Sequence, residues 1–217
     1  DDTYFTATAP LNPLNVVSGA ATIVGKVTVT FTDISPTPTP PGVIRGQNNV
    51  GMGKLTLSTL FGSAFWRQLN VTLTSSADIS TVELYKDTNG NGVFDPVGDT
   101  LLLSAASAPT ITFNLAGAGL TQTLTTTPQN YFLAFDIAVG ATIGNTVGFS
   151  IVAADFTIDD GVNPLTPSGA FPFQATAQIV SQTVTASFTN LAPANVVSAE
   201  TGVVMSSFTM KTNAGTD

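Results

Sequence analysis

Apolar residues alternate with threonine, serine or asparagine along most of the chain, most cleanly in Val27-Thr28-Val29-Thr30-Phe31-Thr32. The same alternation recurs in Leu55-Thr56-Leu57-Ser58, Leu69-Asn70-Val71-Thr72-Leu73-Thr74, Ile111-Thr112-Phe113-Asn114-Leu115 and Val147-Gly148-Phe149-Ser150-Ile151. A period of two sends successive side chains to opposite faces of a strand, so each run predicts a half-buried β-strand. The β-branched Thr and Val also suit a pleated surface better than a helix. Gly, Pro, Asn and Asp separate the runs, and no stretch carries a helical period. The pattern predicts an all-β chain folded as an antiparallel β-sandwich.

An internal repeat overlies this pattern. Ala21-Thr22-Ile23-Val24 and Val27 to Asp33 match Ala177-Gln178-Ile179-Val180 and Thr183 to Asn190, with one inserted residue. Phe5-Thr6 and Asn12-Pro13-Leu14 recur as Phe156-Thr157 and Asn163-Pro164-Leu165, and Met52 to Thr59 recurs as Met205 to Thr212. Three blocks in one order, at spacings of about 151 to 156 residues, indicate tandem units out of phase with the chain ends. The expected division is 1–33 as the tail of a preceding repeat, 34–41 as a Pro/Thr linker, 42–190 as a complete sandwich, and 191–217 as a linker with the first strand of a following repeat. Pro36-Thr37-Pro38-Thr39-Pro40-Pro41 supports the linker, because proline cannot donate to a ladder and favours extended geometry.

Composition narrows the function classes. The 217 residues contain no histidine and no cysteine, and only 9% are charged. With no histidine or cysteine there is no Ser-His-Asp or Cys-His relay and no His-rich zinc site, and the expectation is a protein that is not an enzyme. A formal net charge of -8 argues against nucleic acid, which requires clustered Lys and Arg. Hydrophobic residues make up 43% of the chain, yet the longest apolar runs, such as Tyr131 to Phe135, are far too short to span a bilayer. A surface of Thr, Ser and Asn with so little charge tolerates packing against copies of itself.

The motif with the most chemical content is Asp87-Thr88-Asn89-Gly90-Asn91-Gly92-Val93-Phe94-Asp95-Pro96-Val97-Gly98-Asp99. Side-chain oxygens stand at loop positions one, three, five and nine, a glycine at six permits a sharp turn, and position seven can offer its carbonyl. This spacing suits a hard cation, and the expected cofactor is calcium, bound by Asp87, Asn89, Asn91, Asp95 and Asp99 with the Val93 carbonyl. Gly98 occupies position twelve, where such loops carry a bidentate Glu, and Asp99 follows one step later. The flanks Thr81 to Tyr85 and Thr100 to Leu103 read as strands, so the loop closes a hairpin. An ion-free Asx-rich turn is the alternative reading.

Val82-Glu83-Leu84-Tyr85-Lys86 followed by this loop resembles tandem Ig-like repeats of bacterial extracellular surface and fibre proteins, and the loop resembles those of dockerins. The resemblance implies an Ig-like sandwich with strand segments of neighbouring repeats at both ends. It further implies an extracellular location and calcium-dependent stiffness. The resulting expectation is a structural subunit of an extracellular filament or surface array. It would form a homopolymer through its chain-end strands, with the segment around Val203 to Met210 carrying suitable alternation. The alternative is an adhesin or carbohydrate-binding stalk module, with Trp66 stacking on a sugar; a lone Trp after an apolar stretch is more often core. Asp155 with Asp159 and Asp160 forms a second acidic cluster, read as a solvated turn ahead of an ion site.

Overall fold

The computed structural model describes residues 27–36, 42–195, 197–199 and 201–212. Residues 1–26 of the predicted preceding-repeat tail and residues 37–41 of the predicted linker lie outside the described residues.

One sheet contains five antiparallel strands in the order β1 (Val27–Asp33), β2 (Val50–Thr59), β8 (Gln129–Ile137), β4 (Ile79–Lys86) and β5 (Thr100–Ala106). The second is organised by the long strand β3 (Ala64–Thr74). It runs β11 (Pro164–Leu165), β10 (Phe156–Asp159), β3, β9 (Thr146–Ile151) and β12 (Phe173–Gln178), with β6 (Thr110–Asn114) and β7 (Gln122–Leu124) also paired to β3. Among the described residues the last two strands, β13 (Val184–Asn190) and β14 (Ser206–Thr212), pair only with each other. Among the described residues the only helical elements are 3-10 turns of three residues, at Ser76–Asp78 and Ala153–Asp155. The chain is an all-β antiparallel sandwich, as its period-two pattern predicts.

The inward faces interlock through Val27, Val29, Leu55, Leu57, Leu84, Tyr131, Leu133 and Phe135 from the first sheet and Trp66, Val71, Phe149, Ile151 and Phe156 from the second. The run Tyr131 to Phe135 is continuously apolar because β8, in the middle of its sheet, is buried on both faces. Its outward residues Phe132 and Ala134 join Tyr85 in a separate small cluster capped by Ile34 and Phe94.

The division of the chain departs from the repeat phase. Val27–Asp33 is the edge strand of the sandwich itself, paired along its length with β2, and Val27 and Val29 are fully buried. Val184–Asn190, which the repeat phase assigns to the complete domain, stands outside it with all seven residues exposed.

Candidate functional site

β4 and β5 form the hairpin that carries the Asp87 to Asp99 loop, and their ladder closes at Lys86 opposite Thr100. The loop folds on its own side chains. Asp87 Oδ1 accepts from the Gly90 amide at 2.7 Å, and Oδ2 accepts from the Gly92 amide at 2.9 Å and Asn130 Nδ2 at 3.0 Å. Asn89 Oδ1 accepts from the Asn91 amide, Asn91 Oδ1 from the Val93 amide, and Asp95 Oδ1 from the Val97 amide. Gly90 and Gly92 have φ of 72° and 71°, a left-handed conformation that side-chain-bearing residues rarely adopt. Burial raises the Asp87 pKa, but the hydrogen bonds from Asn130, Gly92 and Gly90 outweigh it and hold the carboxyl below its ordinary range.

Position twelve explains the missing glutamate. A Cβ on Gly98 would come 2.6 Å from Asn89 Nδ2 and 2.7 Å from Asp95 Oδ2, so two of the candidate ligands converge on the space a larger residue would need. Asp99 is buried at 7% exposure. Its Oδ2 accepts from the Asp95 amide at 2.8 Å, while its Oδ1 is enclosed without a hydrogen-bond partner. An unsatisfied buried carboxylate oxygen is costly, and it is the kind of atom a cation satisfies. Val93, expected to contribute its carbonyl, is mostly exposed at the loop tip. Among the described residues no three or more His, Cys, Asp or Glu side chains stand together as a metal cage.

Sequence reasoning missed how the loop is held to the body. Phe94 lies across the outer face of the five-stranded sheet, 5.2 Å from the Tyr85 ring and 5.6 Å from the Phe132 ring. Gly51 makes room for it, since a Cβ there would meet Phe94 at 2.9 Å. Lys54 Nζ donates to the Gly92 carbonyl at 3.2 Å. An aromatic residue inside an Asx-rich loop is the signal that could have revealed this anchor.

The other candidates resolve differently. Trp66 is fully buried, edge-on to Tyr131 at 4.9 Å, and its Nε1 donates to the Gln68 carbonyl at 2.9 Å, so it offers no face to a sugar. Asp159 pairs with Arg67 through both carboxylate oxygens, and Asp160 Oδ1 accepts from the Val162 and Asn163 amides at 2.8 and 2.6 Å. Asp155 Oδ2 accepts from the Val152 amide at 2.7 Å. This second acidic cluster is a pair of hydrogen-bonded turns.

The β13–β14 hairpin is the remaining surface of note. One face presents Val184, Ala186, Phe188, Phe208 and Met210, all exposed; the other presents Thr185, Ser187, Thr189, Ser207, Thr209 and Lys211. Phe188 and Phe208, directly opposite each other, are 70% and 72% exposed.

No protein-family model matches the chain, and no curated protein matches it. A solved complex of CaDoc0917 with CaCohA2 is 14% identical with a TM-score of 0.40, covering 72% of this chain and 99% of that one. The sixth cohesin of scaffoldin B from Acetivibrio cellulolyticus, in complex with a Cel5 dockerin mutant, is 14% identical with a TM-score of 0.36, again covering 72% and 99%. The description of the chain as an antiparallel β-sandwich rests on its own strand pairing. No helix among the described residues is long and apolar enough to cross a membrane.

Proposed function

We propose that the chain is a non-catalytic structural subunit of an extracellular filament or surface array, joined to its neighbours by β-strand addition and stiffened by calcium at the 87–99 loop. The observation that carries this reading is the β13–β14 hairpin, whose whole apolar face is exposed. A two-stranded hairpin has little stability of its own in water. Burying each of its large apolar side chains against a partner would contribute about 1.5–3 kcal/mol. With only 9% of its residues charged, the chain has few side chains whose desolvation would oppose such close association.

Calcium fits the residues of the loop as a mixed oxygen set. Asp99 brings the enclosed, unpartnered oxygen, Asp95 Oδ2 lies over Gly98, and Asp87, Asn89, Asn91 and the Val93 carbonyl complete the candidate ligands. A bound ion would hold the β4–β5 hairpin against the sheet through Phe94, giving a longer rigid body. The carbohydrate-binding alternative has lost its platform, since Trp66 is internal.

Electron microscopy of the purified chain in calcium tests the proposal. Filaments or sheets with a regular repeat, shortened or softened by chelator, are the expected result. Dispersed globules at every concentration and calcium level would overturn it.

A further inference from the structure

The hairpins β1–β2 and β13–β14 have the same register as well as related sequences. Val27 faces Thr59 as Val184 faces Thr212, Phe31 faces Leu55 as Phe188 faces Phe208, and Asp33 faces Gly53 as Asn190 faces Ser206. All seven pairs of each ladder correspond in this way. The faces correspond too. Val27, Val29, Phe31, Leu55 and Leu57 map onto Val184, Ala186, Phe188, Phe208 and Met210, and the threonine-rich outer faces map onto each other. A one-residue slip in either ladder would invert this match, so agreement at every pair specifies one binding geometry.

What covers the first hairpin therefore describes what fits the second. The outer edge of β2 pairs with β8, from Val50 opposite Phe135 to Leu57 opposite Gln129. Its apolar face lies on an aromatic wall, where Phe31 stacks on Phe173 of β12 at 5.4 Å and meets Phe149 of β9 edge-on at 5.9 Å. The folded sandwich has one such place, and β1–β2 fills it. A copy of this unit admits β13–β14 at that place only where its own β1–β2 has moved out of it.

We infer that β13–β14 is the opening hairpin of a second sandwich, and that its partner is a body of this chain's own kind, equivalent to β3–β12, whose first-hairpin position is vacant. This rests on the strand-addition part of the proposed function and names the partner. One position of the two hairpins differs in detail. A Cβ on Gly53 would come 2.6 Å from Phe31 and 2.8 Å from Phe149, and Ser206 stands at the corresponding place in the second hairpin.

The test extends the chain. Residues 213–217 are exchanged for a second copy of 60–183, with Ser206→Gly to admit the Phe149 of that copy, and amide hydrogen exchange is followed in β13 and β14. The first sandwich serves as an internal reference for folding. The expected result is that exchange in β13–β14 slows by roughly 100-fold or more, towards that of β1–β2, as the hairpin joins a cooperative unit. Adding Phe188→Asp and Phe208→Asp should abolish that protection while β1–β12 stays folded. If the appended segment is degraded by protease and the hairpin exchanges as in the parent while the first sandwich remains intact, the inference is overturned. Its failure is separable from that of the filament reading. Filaments of the parent chain with no folding of the extension would sink the copied-hairpin inference alone, whereas a folded extension with a dispersed parent would uphold it and sink the filament.

Discussion

Two acidic turns project from this sandwich, and they differ in whether their oxygens are already used. In the 159–163 turn, Asp159 is held by Arg67 and the Gly161 amide, and Asp160 by the Val162 and Asn163 amides. In the 87–99 loop most side-chain oxygens also fold the loop, but Asp99 retains a buried oxygen with nothing to bond. Clustered acids alone do not distinguish an ion site from a turn. The distinguishing feature is an oxygen that the fold encloses and leaves unsatisfied.

The largest expected separation of the two comes from calcium itself. At calcium about 100-fold above the dissociation constant, stabilisation is about 2.7 kcal/mol, a rise in Tm of roughly 5–10 °C for a protein of this size. Asp99→Asn should remove that rise and Asp160→Asn should keep it. Calorimetry showing no calcium-dependent Tm in the unmodified chain would erase the distinction between the loops.

Gly98→Ala should follow in size. Its Cβ would collide with Asn89 and Asp95, and overpacking of this kind costs about 1–3 kcal/mol, read as a lower denaturation midpoint together with a weakened calcium response. Gly161→Ala in the other turn meets only ordinary contact with Phe65 at 3.5 Å, and there the cost arises from its φ of +98°, about 1 kcal/mol.

Acid should affect both turns. Hydrogen bonds from Asn130, Gly92 and Gly90 hold Asp87 below the ordinary carboxylate range against the opposing effect of burial, and Arg67 does the same for Asp159. Because the folded pKa values are depressed, the stabilisation is present above about pH 4 and is lost as pH falls through the folded values. Calcium should carry the Asp87 contribution to lower pH and leave that of Asp159 unmoved, which acid titrations of unfolding with and without the ion would reveal. The smallest effect is expected from Arg67→Ala. The pair it breaks is partly exposed, so the melting temperature should stay near that of the unmodified chain.

Much of the architecture was legible along the chain. Each alternating run lies in a strand, because a period of two separates an apolar from a polar side of the strand whatever the topology. The Asp87 loop was legible as a hairpin closure for a similar reason, since Asx residues and glycines in left-handed geometry act within a few residues of one another. Phe94 and Asn130 were not, because they hold the loop from across a sheet. Trp66 was ambiguous in sequence, and only its placement between Tyr131 and Phe156 decides that it is core.

The two related hairpins mark the boundary between the kinds of information. Sequence alone determined that Val27–Asp33 and Val184–Asn190 would be strands with one apolar face, since that depends on local alternation and propensity. It could not determine which of them the sandwich would take in. That choice required β2 as a pairing partner and the Phe149 and Phe173 wall as a cover, surfaces assembled from distant parts of the chain. The tertiary structure buried one copy and left the other exposed, because burial depends on what a strand meets.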